Sequence, residues 1–357
     1  MRARHIVIAA LLAGAAYLLA WPVNVVPQAW TPPPAPALAG PYAPNHALSG
    51  AHRIAVGGHG VPEDIAFGPD GLLYAGAADG SIVRMKPDGS ALQVLANTGG
   101  RPLGLRFDAA GRLIVADADK GLLAVTPDGK VATLSTEAEG RRFGLPDDLD
   151  IGADGTIYFS DASDRFPLSD YESDLIEHGG NGRLLAYDPK TGQTRVLLKG
   201  LYFANGVAVS PDQRFVLVVE TGEYRLTRYW LTGPKAGTSD VFADNLPGVP
   251  DGVLSNGRDT FWVSLPTPRL ADLDRLLPYP AIRKIVARLP KAVQPKPKPM
   301  GFVLGLDLAG KVTHNLQDPD GRAYSTITNV VEHDGKLWFG SLDQPAVGVV
   351  SLMETKQ

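Results

Sequence analysis

Apolar residues in this chain fall mainly into short, β-rich runs that are separated by tight polar turns. In residues 202–212, YFANGVAVSPD, the pair Asn205-Gly206 precedes the apolar run VAV, and the turn SPD follows it. Variants of this phrase recur along the chain. Each is followed by further short runs that often end at Pro-Asp-Gly, a common hairpin signal. The pattern predicts strand, turn, strand, turn and strand in every copy.

The repeat predicts the architecture. The copies start at the positions that align with Asn205: Glu63, Leu103, Asp147, Asn205, Asp251 and Thr328. Units of about 40 residues with three or four short strands are typical of propeller blades, and the longer copies must carry insertions. We therefore predict an all-β protein, a six-bladed β-propeller, in which residues 52–60 supply a strand to the last blade and close the ring. The alternative is two β-sandwiches in tandem, which the unbroken repeat disfavours.

The first 26 residues form a separate segment. Arg2 and Arg4 precede an apolar run over residues 6–23, which is long enough to span a membrane. Positive charge before the run and none soon after it predict a transmembrane signal anchor, with the rest of the chain on the extracytoplasmic side. The alternative is a cleaved signal peptide, with Ala-x-Ala sites at 35–37 and 37–39 and a secreted product.

Residues 27–45 are rich in proline and predict a stiff, extended linker, so the propeller domain is expected to cover residues 46–357. Two long insertions interrupt the repeat. The first covers residues 165–181. In the second, residues 266–300, apolar residues recur at helical spacing. This second insertion predicts either a solvated helical flap on the propeller face or a cationic, amphipathic lid that also contacts lipid.

Composition narrows the possible functions. Of the 357 residues, 44% are hydrophobic and 20% are charged, which is typical of a globular protein. The net charge of -4 argues against nucleic-acid binding, which needs a basic face. The absence of Cys excludes disulfides, thiolate metal sites and a Cys nucleophile.

The first residues of the copies, called lead residues below, predict a metal site. Innermost strands line the central channel of a propeller, so aligned positions lie at one level around the axis. Carboxylate or amide oxygens occur at four of these positions: Glu63, Asp147, Asn205 and Asp251. Buried carboxylates repel one another, and a hard cation such as Ca²⁺ binds such oxygens. The alternative is that each Asp or Asn only stabilises a turn.

Several motifs carry a family resemblance. The sequences DDLDIGADGTIYFSDAS (residues 147–163), YFANGVAVSPD, LPGVPDGV (246–253) and EHDGKLWFGSL (332–342) resemble the strictosidine-synthase-like family, which includes adipocyte plasma membrane-associated proteins. The resemblance extends over residues 50–352 and implies a six-bladed calcium propeller related to gluconolactonases and paraoxonases. It also implies that the four lead residues named above hold a catalytic calcium ion.

The same resemblance shows which catalytic groups this chain lacks. Leu103 stands where paraoxonases have a catalytic His, and Gly252 stands where they have a second Asn. Leu145 replaces the Arg with which gluconolactonases hold a sugar acid. Thr328 replaces the acid/base Glu of strictosidine synthases. Asp147 replaces the usual Asn ligand and adds a charge.

The expected function is calcium-dependent hydrolysis of a hydrophobic ester or lactone, of the arylesterase or lactonase type. Asp251, followed by Glu63, is the candidate to activate a water molecule. Two alternatives remain open. One is a non-enzymatic, membrane-tethered binding protein, and the other is an enzyme that condenses an amine with an aldehyde.

Overall fold

The computed structural model describes residues 2–353 and 355. These residues contain six four-stranded antiparallel sheets, so the predicted six-bladed all-β propeller is confirmed. Helix α1, Arg2–Ala20, precedes the propeller. Its residues 3–20 are long and apolar enough to cross a membrane by length and composition. The chain thus has one apolar N-terminal helix that can serve as a signal anchor.

The first strand of the propeller, β1, covers His52–Ala55 and belongs to the last blade. The next three blades follow in chain order and each runs from the axis outward. Blade one contains β2 (Ile65–Phe67), β3 (Leu73–Gly76), β4 (Ser81–Met85) and β5 (Gln93–Asn97). Blade two contains β6 (Pro102–Phe107), β7 (Leu113–Asp117), β8 (Gly121–Val125) and β9 (Val131–Ser135). After the hairpin β10 (Glu137–Ala138) and β11 (Arg141–Arg142), blade three contains β12 (Pro146–Ile151), β13 (Ile157–Asp161), β14 (Gly182–Asp188) and β15 (Gln193–Leu201).

The remaining blades complete the circle. Blade four contains β16 (Ala204–Val209), β17 (Phe215–Glu220), β18 (Arg225–Trp230) and β19 (Ser239–Ala243). Blade five contains β21 (Val253–Ser255), β22 (Phe261–Ser264), β24 (Gly301–Leu306) and β25 (Val312–Asp318), and beside it β20 (Gly248–Val249) pairs with β23 (Thr267–Pro268). Blade six contains β26 (Ile327–His333), β27 (Lys336–Ser341), β28 (Ala346–Ser351) and β1.

The predicted closure by an N-terminal strand is confirmed. Strand β1 pairs antiparallel with β28, with His52 opposite Val349 and Ala55 opposite Ala346. The core lies between neighbouring blades, where apolar faces of adjacent sheets meet. Between blades four and five, for example, Phe215 packs with Phe261 and other buried side chains. Burial of this kind between every pair of sheets is the main stabilisation of a propeller.

Three helices cover the end of the channel at which the lead residues lie, and we call them the cap. Helix α2, Tyr171–Glu177, lies in the first insertion. Helices α3, Ala271–Leu276, and α4, Pro280–Arg288, lie in the second. Proline is favoured at the first position of a helix, and Pro280 begins α4. The cap lies on the propeller face that carries the lead residues and lines cavities above the channel.

Residues 21–45 lie along the cap and propeller, and we call them the strap. A proline-rich chain leaves its backbone carbonyls without partners of its own. Here arginine side chains donate to those carbonyls: Arg283 to Gln28 at 2.6 Å and Arg269 to Pro33 at 2.8 Å. The ring of Trp30 also stacks on His178, with centroids 4.6 Å apart. The proline-rich segment is therefore extended, as its composition indicates, but it is docked and not free.

Candidate metal and substrate site

The lead residues of four blades lie at a β-bulge in the innermost strand. The pairing of β12 with β13 shifts register between Pro146 and Leu149, and that of β16 with β17 shifts between Ala204 and Val207. Strands β6 and β26 have the same irregularity. A bulge turns a side chain away from the normal alternation of a strand. This local geometry lets lead residues point along the channel.

The glycine after a lead residue is required by packing between blades. A Cβ on Gly206 would lie 2.3 Å from the backbone nitrogen of Val253, and a Cβ on Gly252 would lie 2.3 Å from the carbonyl oxygen of Thr328. Neither glycine has a positive φ. The Asn-Gly and Asp-Gly pairs therefore do not form turns, and the alternative that they only stabilise turns is wrong. The glycines let neighbouring inner strands approach closely.

The structure brings the four predicted ligands together. Glu63, Asp147, Asn205 and Asp251 all line one small cavity on the channel axis. Asp147, Asn205 and Asp251 are 7–8% exposed. The side-chain amide of Asn205 donates a hydrogen bond to the Asp251 carboxylate. The Asp147 carboxylate accepts no hydrogen bond from the described residues, so it is the ring member with the least compensation.

Arg101, which the sequence did not single out, contacts the ring. Its guanidinium donates to the Glu63 carboxylate at 3.1 Å and to the Val61 carbonyl at 3.1 Å. Burial raises the pKa of Glu63, whereas Arg101 lowers it. Asp64 and Asp148 also line the cavity, where they face the guanidinium of Arg106. The three ionised carboxylates of the ring and the single guanidinium of Arg101 leave a formal charge of −2. That charge is the one a divalent cation neutralises.

Burial and repulsion act together on the other two carboxylates. Burial raises the pKa of Asp147 well above its usual range, and the charges of Glu63 and Asp251 raise it further. Burial likewise raises the pKa of Asp251, and the charge of Glu63 adds to this effect. A buried cluster of this kind must gain protons or a cation to be stable.

The donor set fits a hard divalent cation, although the arrangement is not that of a completed site. Within residues 2–353 and 355, no three His, Asp or Glu side chains are arranged as a metal site. The Glu63 carboxylate accepts a hydrogen bond from Arg101, and the Asp251 carboxylate accepts one from Asn205. All four predicted ligands nevertheless offer oxygen, they share one cavity, and their charge is only partly compensated. These are the properties of a Ca²⁺ site rather than a zinc site.

A second polar layer lies below the ring and holds the blades together. Asp64 accepts hydrogen bonds from the backbone of Leu105 at 2.8 Å and from Arg106 at 2.8 Å. Asp148 accepts from the backbone of Val207 at 3.0 Å, and burial raises its pKa to about 7. Each carboxylate therefore links its own blade to the next one. The signal in the sequence was the second residue of the aligned copies, which is Asp at both positions.

The positions at which this chain departs from its relatives have structural roles. Leu103 and Leu145 are 2% and 0% exposed and pack in one apolar cluster with Phe203. The hydroxyl of Thr328 donates to the Glu63 carbonyl at 2.6 Å. The proton of that hydroxyl is used in a contact between blades six and one. Thr328 therefore does not take the role of an acid/base carboxylate. Leu103 also lines the small cavity of the ring, whereas neither leucine lies in the wall of the larger cavity above it.

A cavity of about 140 Å³ with a mainly apolar lining opens above the ring. Its wall includes Glu63, Asp147, Asn205 and Asp251 at the bottom and Phe203, Tyr171 and Leu175 at the side. Burial raises the pKa of Tyr171, and the charges of Asp251 and Glu63 raise it further. Its hydroxyl therefore stays protonated near neutral pH. Sequence reasoning missed Tyr171 and Phe203, because neither occupies a lead position.

Fold and site define this protein as a six-bladed propeller with a ring of acidic side chains at the mouth of its channel. The family model for strictosidine synthase matches residues 147–234, and that for the N-terminal part of strictosidine synthase-like proteins matches residues 40–85. Protein STRICTOSIDINE SYNTHASE-LIKE 6 of Arabidopsis thaliana is 40% identical over 302 residues, which cover 83% of this chain and 80% of the relative. The chain belongs to the strictosidine synthase-like family.

Further relatives agree with this assignment. Adipocyte plasma membrane-associated protein of Homo sapiens is 35% identical over 365 residues, covering 96% of this chain and 86% of the relative. Among solved structures, a gluconolactonase of Xanthomonas campestris is similar with a TM-score of 0.62 at 18% identity, covering 92% of this chain and 97% of the other. The calcium-binding protein regucalcin of Agrobacterium tumefaciens gives a TM-score of 0.56 at 14% identity, covering 81% and 89%. These structures share the fold.

Proposed function

We propose that the protein is a calcium-dependent hydrolase of esters or lactones, of the arylesterase or lactonase type. The observation that carries this proposal is the position of the four oxygen-bearing lead residues at the bottom of an apolar, substrate-sized cavity. Glu63, Asp147, Asn205 and Asp251 would hold Ca²⁺. The bound ion would polarise the substrate carbonyl and stabilise the oxyanion that forms.

Asp251 is the residue that would activate water. A general base works best when its pKa is raised toward the working pH, and both burial and Glu63 raise the pKa of Asp251. Glu63, the second candidate, is the weaker one because Arg101 neutralises its carboxylate. Water adds to the carbonyl carbon, the bond to the ester oxygen breaks, and the products are an acid and an alcohol. Asp251 takes the water proton and returns it to the leaving oxygen.

Tyr171 would assist in positioning the substrate. Its side chain lines the cavity beside the ring, and its raised pKa keeps the hydroxyl protonated. A protonated phenol can donate a hydrogen bond to an ester or lactone oxygen. The apolar residues Leu168, Leu175 and Phe203 of the same wall would exclude water and contact the hydrophobic part of the substrate.

The anchor would remain attached, with the propeller on the extracytoplasmic side. Cleavage at residues 35–39 would release Trp30, which stacks on His178 and packs against Tyr224. It would also remove the Gln28 and Pro33 carbonyls, which accept hydrogen bonds from Arg283 and Arg269. A cleaved product would therefore lose part of the structure that covers the cap. The similarity to adipocyte plasma membrane-associated protein supports a membrane location.

The decisive experiment measures hydrolysis of phenyl acetate and of a γ-lactone by the purified full chain, with added calcium and with EDTA. We expect hydrolysis of at least one substrate that EDTA abolishes and calcium restores. If neither substrate is hydrolysed with calcium present, the hydrolase proposal is wrong. Calcium-dependent stabilisation without hydrolysis would support the second candidate, a binding protein, which is favoured by the buried leucines at positions 103 and 145. The condensing enzyme lacks an acid/base group, since the Thr328 hydroxyl is bonded to Glu63.

A further inference from the structure

Three neighbouring cavities lead from the ring into the cap. The first, of about 140 Å³, contains the four predicted ligands in its wall. The second and third, of about 190 and 160 Å³, lie between the propeller and the cap helices. Leu175 of α2 and Val249 of β20 line all three cavities. The three spaces are therefore adjacent and are divided only by side chains.

The walls of the two outer cavities are apolar and not fully covered. Leu273 of α3 and Val286 of α4 line both of them, together with Ile176 of α2. These side chains are only half-buried, although they face the inside of the cap. Apolar groups that face a space of this size lack the dispersion contacts of a packed core. An apolar ligand would supply those contacts.

The outer end of this space approaches the anchor. Arg288, in the last turn of α4, donates to the Trp21 carbonyl at 2.6 Å and to the Leu18 carbonyl at 2.9 Å. Val286 of the cavity wall is on the same turn of that helix. The side chain of Trp21, beside Arg288, is 60% exposed, and that of Tyr279, at the other end of α4, is 56% exposed. Aromatic side chains of this kind are enriched where a protein meets the membrane interface.

We propose that the outer cavities hold the acyl chain of a lipophilic ester or lactone, with the carbonyl of that molecule at the ring and the chain directed toward α1. The proposal rests on the hydrolase function for the role of the ring, and it names the substrate class. We expect the occupant to be an alkyl chain because the side chains that all three cavities share, Leu175 and Val249, are apolar. A bulky polar ligand would meet few donors or acceptors there, the exceptions being Arg283 and His178, whose Nε and Nε2 atoms have no hydrogen-bond partner among the described residues.

The first test compares chain lengths with p-nitrophenyl acetate and p-nitrophenyl decanoate in the presence of calcium. In the wild type we expect a higher kcat/KM for the decanoate. Leu273→Trp fills space in both outer cavities, and we expect the decanoate-to-acetate ratio of kcat/KM to fall at least tenfold. Val286→Phe is a second variant in case the first one misfolds, which thermal unfolding would reveal. Val241→Trp is the matched control, since Val241 is 48% exposed on an outer strand.

The second test measures binding without catalysis. The probe is cis-parinaric acid, a long-chain acid whose fluorescence rises in an apolar site. We expect saturable binding to the full chain, weakened at least tenfold by Leu273→Trp or Val286→Phe and unchanged by Val241→Trp. Binding that is absent, or equal in all variants, would overturn the acyl-chain proposal whatever the esterase result. If Leu273→Trp or Val286→Phe weakens binding of the probe, but the protein does not hydrolyse p-nitrophenyl acetate, the acyl-chain site is supported and the hydrolase function is refuted.

Discussion

The guanidinium of Arg101 lies 3.1 Å from the carboxylate of Glu63, so the loop before blade two supplies a fixed cation to the ring. Both side chains are mostly buried, at 11% and 15% exposure. Removal of one partner from a buried ion pair usually costs about 3 kcal/mol or more, since the other charge is left unpaired. Arg101 therefore holds together the metal-free form of the ring.

Arg101→Leu should lower the stability of the metal-free protein by about 3 kcal/mol. It should also strengthen calcium binding, because the competing positive charge has been removed. Calorimetric titration with calcium and chemical unfolding in EDTA would measure both effects. The control is Arg258→Leu, which removes an arginine that is 68% exposed and paired with Glu332. Weaker calcium binding by Arg101→Leu would contradict this account.

Asp251→Asn should reduce activity and raise the stability of the metal-free protein. The loss of a general base lowers kcat/KM by about 100-fold or more. The metal-free form gains stability because a buried carboxylate that is repelled by Glu63 is replaced by a neutral amide of the same shape. Ester hydrolysis and unfolding in EDTA provide the two measurements. Asp128→Asn, at a carboxylate that is 60% exposed, should change neither.

The stability of the metal-free protein should depend on pH through the ring. The pKa values of Asp147 and Asp251 are raised in the folded state. The folded protein therefore binds more protons than the unfolded chain, and this contribution is fully present below about pH 4 and is lost as pH rises through the raised values. We expect the melting temperature in EDTA to fall as the pH rises from about 4 through the raised pKa values of these two carboxylates.

Added calcium should reverse that trend, since the cation replaces the lost protons and stabilises in proportion to its occupancy. Thermal unfolding at several pH values, with calcium and with EDTA, would show it. In the Asp147→Asn variant, the melting temperature measured in EDTA should fall less steeply as the pH rises. A melting temperature in EDTA that rises over this pH range would exclude the charge distribution described for the ring.

Gly206→Ala should disrupt the propeller. The new Cβ would lie 2.3 Å from a backbone atom of Val253, so strands of blades four and five would have to separate. Overpacking against backbone costs about 3 kcal/mol or more. Thermal unfolding would measure the loss. Gly14→Ala in α1 is the control, because nothing lies within 4 Å of the added group; equal melting temperatures for the two variants would show that the approach of the strands is not required.

Arg283→Met should loosen the strap. Its guanidinium donates to the carbonyls of Gln28, Leu277 and Ile176, and so joins the strap to two helices of the cap. Limited proteolysis should cut within residues 21–45 several-fold faster in this variant. Arg275→Met, at an arginine that is 78% exposed, should be cut at the wild-type rate. Equal rates for both variants would mean that Arg283 does not hold the strap.

The sequence predicted the repeat-based parts of this structure and missed those that depend on single contacts. Blade number, closure by β1 and the register that unites Glu63 with Asp251 all follow from a pattern that recurs in every blade. Arg101 and Tyr171 lie outside that pattern, so nothing in the repeat marked them. The docked strap was missed for another reason: it is held through its own backbone carbonyls, which look alike for every residue type.

The pairing of β1 with β28 also sets an order for assembly during synthesis. Strand β1 leaves the ribosome early, and its partner residues 346–351 leave it near the end. Five blades can form before β28 is available, and β1 remains an unpaired strand during that time. Unpaired strand edges are prone to aggregation. A helix held in a membrane would keep neighbouring molecules from diffusing freely while they wait. The anchor would then protect the nascent protein as well as locate the mature one.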